Sequence, residues 1–150
     1  MIQIKKAVLK NLTRLLAIEN ECFSESRISE ISFCYLLTKA NADVLIILKN
    51  NIVCGDGIIL YRKNSASARL YSLAISKKYQ GQGLSKKLLC ALETSAQKKK
   101  YRQLILEVRK DNISAIKLYE TLQYKSFGEI PNYYEDGMTA VRMKKIFVAC

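Results

Sequence analysis

Apolar positions along the chain change their spacing several times, and each change marks a predicted element. Alternation over Ile2–Val8 predicts a first strand, and Leu12, Leu15, Leu16 and Glu19 recur at helical spacing within Asn11–Phe23. The stretch ISEISFCYLLTKA, residues 28–40, reads as a second helix capped by Ser29. DVLIILKNNIVCGDGIILYRK, residues 43–63, is rich in β-formers and interrupted by Asn50-Asn51, which predicts a hairpin with a tight turn. A second turn over Asn64–Ser67 leads into the alternating strand ARLYSLAIS. Leu84, Leu88, Leu89 and Leu92 then mark the apolar face of a helix from Gly83 to Lys99. RQLILEVR reads as a strand, NISAIKLYETLQY as a helix and TAVRMKKIFV as a last strand.

Antiparallel hairpins come first and a β-α-β unit follows. That order predicts an α+β (mixed α/β) fold rather than a doubly wound parallel sheet. A chain of 150 residues has room for one well-packed core, so a single domain over 1–150 is expected. With 49% apolar and 25% charged residues, the usage is that of a globular protein and excludes a disordered one. No apolar run reaches the roughly 20 residues needed to cross a bilayer. The opening MIQIKKAVLKNL also lacks the apolar block of a signal peptide, so a cytoplasmic protein with no membrane partner is expected.

The chain contains no histidine, which removes every mechanism built on an imidazole base. Cys22, Cys34, Cys54, Cys90 and Cys150 form no C-x-x-C pair; they are read as small buried hydrophobes, and no metal site is expected. Acid-base chemistry is left to Asp, Glu, Tyr, Lys or Cys. The net charge of +12 implies attraction to something anionic, whether nucleic acid, ribosome, membrane surface or a phosphorylated cofactor.

YQGQGLSKKLL, Tyr79–Leu89, narrows that choice. A strand, a glycine-rich turn and a helix start together make an anion site, because unpaired N–H groups point outward there. Gly81 and Gly83 let those amides close on a pyrophosphate. Lys86 and Lys87 oppose the helix dipole but suit several phosphate charges. The P-loop pattern is absent, and G-x-G-x-x-G stops at Lys86; a connection that merely turns tightly is the competing reading.

Taken as Gln80-x-x-Gly83-x-Ser85 behind LYSLAIS, the stretch resembles the acetyl-CoA motif Q/R-x-x-G-x-G/A of the GNAT superfamily of N-acetyltransferases. LEVRKDNISAIKLYETLQY, Leu106–Tyr124, is similar to the family block L-E-V-R-x-x-N-x-x-A-I-x-L-Y-E-x-L-G-F. NYYEDGMTAVRM looks like the Tyr-Tyr substrate loop and last strand of the bacterial ribosomal-protein-alanine N-acetyltransferase branch. Ser85 stands where Gly or Ala is usual. Gln123 replaces the glycine that ends the helix, which predicts a strained or remodelled cap. The segment after Phe23 carries no family feature that fixes the acceptor.

The resemblance implies a mixed, mostly antiparallel sheet of about six to seven strands with about four helices. It implies direct acetyl transfer from acetyl-CoA to a primary amine, first of all a protein N-terminal α-amine. Acetylation of lysine or a small amine is the alternative, and a basic RNA- or ribosome-binding module retaining the fold is the non-enzymatic one. Leu73, Ala74 and Ile75 would bind the pantetheine arm, with the Ile75 amide polarising the thioester oxygen. Gly81, Gln82, Gly83, Leu84, Ser85 and Lys86 would hold the pyrophosphate, Gln80 would join them in the cofactor site, and Asn112 would add a hydrogen bond to CoA. Glu107 would be the base, directly or through water, Tyr119 the acid, and Tyr133 and Tyr134 would flank the acceptor. Partners expected on this reading are acetyl-CoA and a protein or peptide amine, with nucleic acid met only through a ribosomal substrate, and a monomer or homodimer. From the residues alone, Glu107 shares a strand face with Gln103 and Arg109, Tyr119 sits on an apolar helix face, and Asn112 suits an N-cap.

Overall fold

The computed structural model describes residues 1–24 and 27–147. Its elements in chain order are β1 (Ile2–Lys6), α1 (Leu12–Cys22), α2 (Glu30–Thr38), β2 (Ala42–Lys49), β3 (Ile52–Leu60), β4 (Ser67–Ile75), α3 (Leu84–Lys98), β5 (Gln103–Arg109), α4 (Ile113–Thr121), β6 (Lys125–Ile130) and β7 (Ala140–Ile146). The seven strands form one sheet in the order β1-β2-β3-β4-β5-β7-β6, and every pairing except β4 with β5 is antiparallel. This is the mixed α/β sheet expected from the sequence. Among the described residues no helix is long and apolar enough to cross a membrane.

Local chemistry explains most of the boundaries. Asn50 and Asn51 both take positive φ (51° and 67°) between Lys49 and its partner Ile52, which is the geometry a two-residue hairpin requires. The Ser29 hydroxyl accepts the Ser32 N–H at 3.1 Å and caps α2. The first strand stops at Lys6, short of the expected Val8, because the Val8 N–H is taken by the Asn11 side chain at the start of a 3-10 turn. The end of the last predicted strand, at Val148, and Cys150 lie outside the described residues.

Two apolar layers sandwich the sheet. Leu84, Leu88, Leu89, Leu92 and Ala96 of α3 pack with Tyr119 and Leu122 of the α4 segment against Ala68, Leu70, Leu104, Leu106 and Met143. On the opposite face, Leu15 and Ile18 of α1 and Phe33 of α2 are fully buried, and Leu15 and Phe33 cluster with Val44, Ile46, Leu48 and Ile58. The four helices thus divide between the faces, α1 and α2 on one and α3 and α4 on the other.

α4 closes on Gln123, where the Gln123 N–H donates to Glu120 and the Tyr124 N–H to Tyr119, the two bonds of a Schellman cap. Gln123 therefore sits at φ 75°, so the strain expected from the missing glycine is present, at a cost of about 1–2 kcal/mol. One expectation is corrected. Among the described cysteines only Cys54 is buried, Cys22 and Cys34 are half-buried, and Cys90 is exposed, since it lies on the polar stripe of α3 with Lys86, Lys87 and Thr94.

Candidate active site

β4 and β5 run parallel but pair only over Ser67–Arg69 and Gln103–Ile105. Beyond that point β4 continues to Ile75 and β5 to Arg109 with no further pairing between them, so the sheet forks. β4 also carries a bulge: Ile58 faces Ser72 and Ile59 faces Leu70, leaving Tyr71 as the extra residue at the mouth of the fork. The fork opens into a cleft of about 720 Å³ lined from both faces of the sheet. Leu106, Val108, Ala115 and Tyr119 contribute from one side, and Glu19, Cys22 and Phe23 from the other.

The free edge of β4 is directional. The Ser76 N–H donates to Cys54 of β3, whereas the Ile75 carbonyl accepts from the Gln80 side chain at 2.9 Å and the Cys22 thiol at 3.2 Å. Alternation along an extended strand therefore turns the peptide groups of Ile75 and Leu73 into the fork, while those of Ala74 join the β3 ladder. Of the three residues expected to meet a cofactor arm through their backbone, Leu73 and Ile75 have the geometry for it.

The turn after β4 is held from two sides. Glu21 of α1 accepts from the Lys77 N–H and the Ser76 hydroxyl, each at 3.0 Å, and the Lys49 ammonium donates to the Gln82 side chain at 2.7 Å. Gly81 and Gly83 take φ 80° and 78°, and a Cβ at either would meet no atom within 4 Å. Both glycines are thus set by backbone conformation, and the space above them is open. Gly83 is the N-cap of α3, and the first bond back to it comes from Lys87. The N–H groups of Leu84, Ser85 and Lys86 have no intrahelical acceptor and point with the helix dipole toward that space. Gln80 differs from the others: its side chain is spent bracing the Ile75 carbonyl.

At the apex of the fork, Glu107 is 8% exposed at its side chain and stands between two guanidinium groups. Its Oε1 is 2.7 Å from Arg69 Nη2, and its Oε2 accepts from Arg142 Nε at 3.4 Å. Each carboxylate oxygen thus faces a guanidinium group. Arg69 also donates to the Tyr133 hydroxyl at 3.0 Å. Tyr133 and Tyr134 meet edge to face at 5.0 Å, and the Arg109 guanidinium stacks 5.1 Å from the Tyr134 ring. Arg109 is itself fixed by Asp111 and Asp136 at 3.1 and 2.7 Å.

Tyr119 is buried, lines the cleft, and packs edge to face on Tyr124. Burial, and then the neighbouring Tyr134, push its hydroxyl up to about 12. Asn112 also lines the cleft, but its side-chain oxygen already accepts the Ala115 N–H at 3.2 Å as the cap of α4. Glu107, Tyr119, Asn112, Tyr133 and Tyr134 share one cleft, and the glycine turn lies at the far end of the free β4 edge.

One wall of the cleft, at Glu19 and Cys22, lies outside both motifs. Glu19 is 2% exposed; its Oε2 accepts the Ile28 N–H at 2.8 Å, and its Oε1 has no hydrogen bond among the described residues. Burial raises its carboxyl above the usual range, partly opposed by the Ile28 N–H and Arg27. Asp56, on β3 opposite Ala74, is fully buried with no hydrogen-bond partner for either oxygen among the described residues, and burial and then Glu19 push it up to about 8. Cys22 is pushed up to about 11, first by burial and then by Glu21, Asp56 and Glu19. A carboxylate among the apolar positions of the first helix, Glu19, was the one signal for this cluster. Arg69 and Arg142 gave none, because they reach Glu107 from strands remote in sequence.

Residues 9–147 match the family model of the acetyltransferase (GNAT) domain. An uncharacterised N-acetyltransferase of Methanocaldococcus jannaschii is 28% identical over 143 residues, 95% of this chain and 90% of that protein. The ribosomal protein bS18-alanine N-acetyltransferase of Haemophilus ducreyi is 40% identical over 67 residues, which span 45% of this chain and 46% of that protein. The crystal structure of the ribosomal-protein-S18-alanine N-acetyltransferase from Escherichia coli superposes with a TM-score of 0.88 at 27% identity, covering 100% of this chain and 96% of that one. With the forked sheet and a family match that leaves out only the first eight residues and the last three, the chain belongs to the GNAT acetyltransferase family.

Proposed function

We propose that the fork transfers the acetyl group of acetyl-CoA to the N-terminal α-amine of a polypeptide, with a ribosomal protein as one such acceptor. The observation that carries this reading is the alignment of an anion-ready turn, a free strand edge and a nearly buried carboxylate, Glu107, in the cleft of the fork. The residues fit the cofactor: open space over Gly81 and Gly83 suits a diphosphate, and the Leu73 and Ile75 edge suits an arm that carries amides. Bound there, acetyl-CoA supplies a thioester carbonyl whose leaving group is a thiolate.

The protein's own residues then act in sequence. The Ile75 N–H polarises the thioester oxygen. Glu107 takes a proton from the attacking amine, directly or through a water, and Tyr119 returns one to the departing sulfur. Because its hydroxyl is pushed up to about 12, Tyr119 keeps that proton throughout the neutral range. Tyr133 and Tyr134 flank the amine, with Tyr133 steadied by Arg69. An α-amine near pKa ~8 offers roughly two-hundredfold more free base at neutral pH than a lysine near ~10.4, which favours it where a single carboxylate is the base. The match to a ribosomal-protein-alanine enzyme supports the same acceptor class.

The test is incubation with acetyl-CoA and two peptides, one with a free α-amine and no lysine, the other blocked at its α-amine and carrying one lysine. Mass spectrometry is expected to find one acetyl group on the first and none on the second. Modification of the blocked peptide alone, or of neither, overturns the assignment.

A further inference from the structure

Past the apex of the fork, the reaction cleft continues into a second hollow of about 600 Å³, and the two share Arg69, Glu107 and Tyr133. Among the described residues no helix lines this hollow. Along β4, β5 and β7 the residues Ala68, Leu104, Leu106 and Met143 face the α3 side, so Ser67, Arg69, Ile105, Glu107 and Arg142 face the other way. On that other face α1 and α2 pack on β2, β3 and β4. The charge there is one-sided. Arg62, Arg69 and Arg142 line the hollow against a single carboxylate, Glu107, which already lies between two of them. Among the described residues Arg62 has no carboxylate within ion-pair distance. The positive strip continues outward, where Arg142 and Lys144 lie 4.8 and 5.0 Å from the exposed Phe127 ring.

We infer that this hollow takes the residues that follow the reacting amine and selects acceptors with Asp or Glu at those positions, with Arg62 and Arg142 as the specificity-determining residues. The inference rests on the proposal that the fork is the transfer site. An amine placed beside Glu107 has its chain leaving past Arg69 and Tyr133, the residues common to both hollows. A carboxylate arriving there meets guanidinium groups in a partly enclosed groove, where charge complementarity governs which partner is kept. A basic segment meets repulsion instead.

The experiment uses short fluorescent peptides with one common N-terminal residue and Asp/Glu, Ser or Lys at the next three positions. Binding to the CoA-saturated protein is read by anisotropy for the wild type and Arg62→Glu, and the same peptides are scored for acetylation. The acidic peptide is expected to bind about tenfold tighter than the basic one at low salt, and Arg62→Glu to cut that gap to about threefold or less. The gap should also narrow with added salt. Equal or tighter binding of the basic peptide, or a gap unmoved by Arg62→Glu, overturns the inference. Acidic peptides that bind without becoming acetylated refute the proposed reaction and leave the groove standing. Acetylation indifferent to charge does the reverse.

Discussion

Glu107→Gln is expected to lower kcat by about 10²- to 10⁴-fold, the range typical of losing a positioned general base, while acetyl-CoA affinity stays within about twofold. The amide keeps the shape of the side chain and still accepts hydrogen bonds, but it does not take up a proton from the amine. The geometry also gives Glu107 a second task, since its carboxylate is the counter-ion of both Arg69 and Arg142. The two tasks separate experimentally. If Glu107 serves only as counter-ion, Glu107→Gln lowers the unfolding midpoint as two guanidinium groups lose their shared partner, and kcat is kept. If it is the base, kcat falls by orders of magnitude even at temperatures where the variant is fully folded.

Asp56→Asn is expected to stabilise the protein increasingly as pH rises, by about 3–4 kcal/mol more at about pH 8 than at about pH 5. In the folded chain the Asp56 carboxyl is pushed up to about 8, whereas in the unfolded chain it titrates near ~3.9. Its neutral form is therefore compatible with the fold, and the stability it contributes is complete below about pH 4. Above that the unfolded state ionises first, and stability is lost at about 1.4 kcal/mol per pH unit until the folded group also ionises near 8. Asparagine has no charge to lose, so that slope disappears. Glu19, also raised, keeps a slope of the same sign in the variant. Urea unfolding across this pH range checks the prediction; parallel stability curves for the two proteins would contradict it.

Much of the molecule was legible because its signals are local. The hairpin at Asn50-Asn51, the Ser29 cap, the α3 leucines and the Asn112 cap each depend on a few neighbouring residues, and each was found where expected. β6 had no such signal: KSFGEI is exposed along nearly its whole length, so it shows no buried alternation and is held by pairing with β7. The helical stretch NISAIKLYETLQY runs three residues past the end of α4, where Gln123 at φ 75° takes the place of a stop-marking glycine.

The site divided along the same line. Glu107, Asn112 and Tyr119 line the cleft, and Gly81–Lys86 form the turn at the end of the free β4 edge. The fork itself was hidden, since the point where two parallel strands part is set by what packs against each of them. So were the guanidinium groups around Glu107, contributed by residues 69 and 142. The Gly55-Asp56-Gly57 run carries a turn-like composition, yet it lies in the middle of a buried strand, where tertiary context overrides local preference.

The central claim is that the turn at Gly81–Lys86 grips the diphosphate of acetyl-CoA and so sets its acetyl end at the fork. Calorimetric titration of acetyl-CoA into the wild type and Gly83→Val tests it most directly. Gly83 stands at φ 78° with open space above it, so a valine there both strains the backbone and fills the space over the free N–H groups. The account predicts saturable one-to-one binding to the wild type and affinity lower by about tenfold or more in the folded variant. No binding to the wild type, or equal affinity in the two proteins, would contradict it.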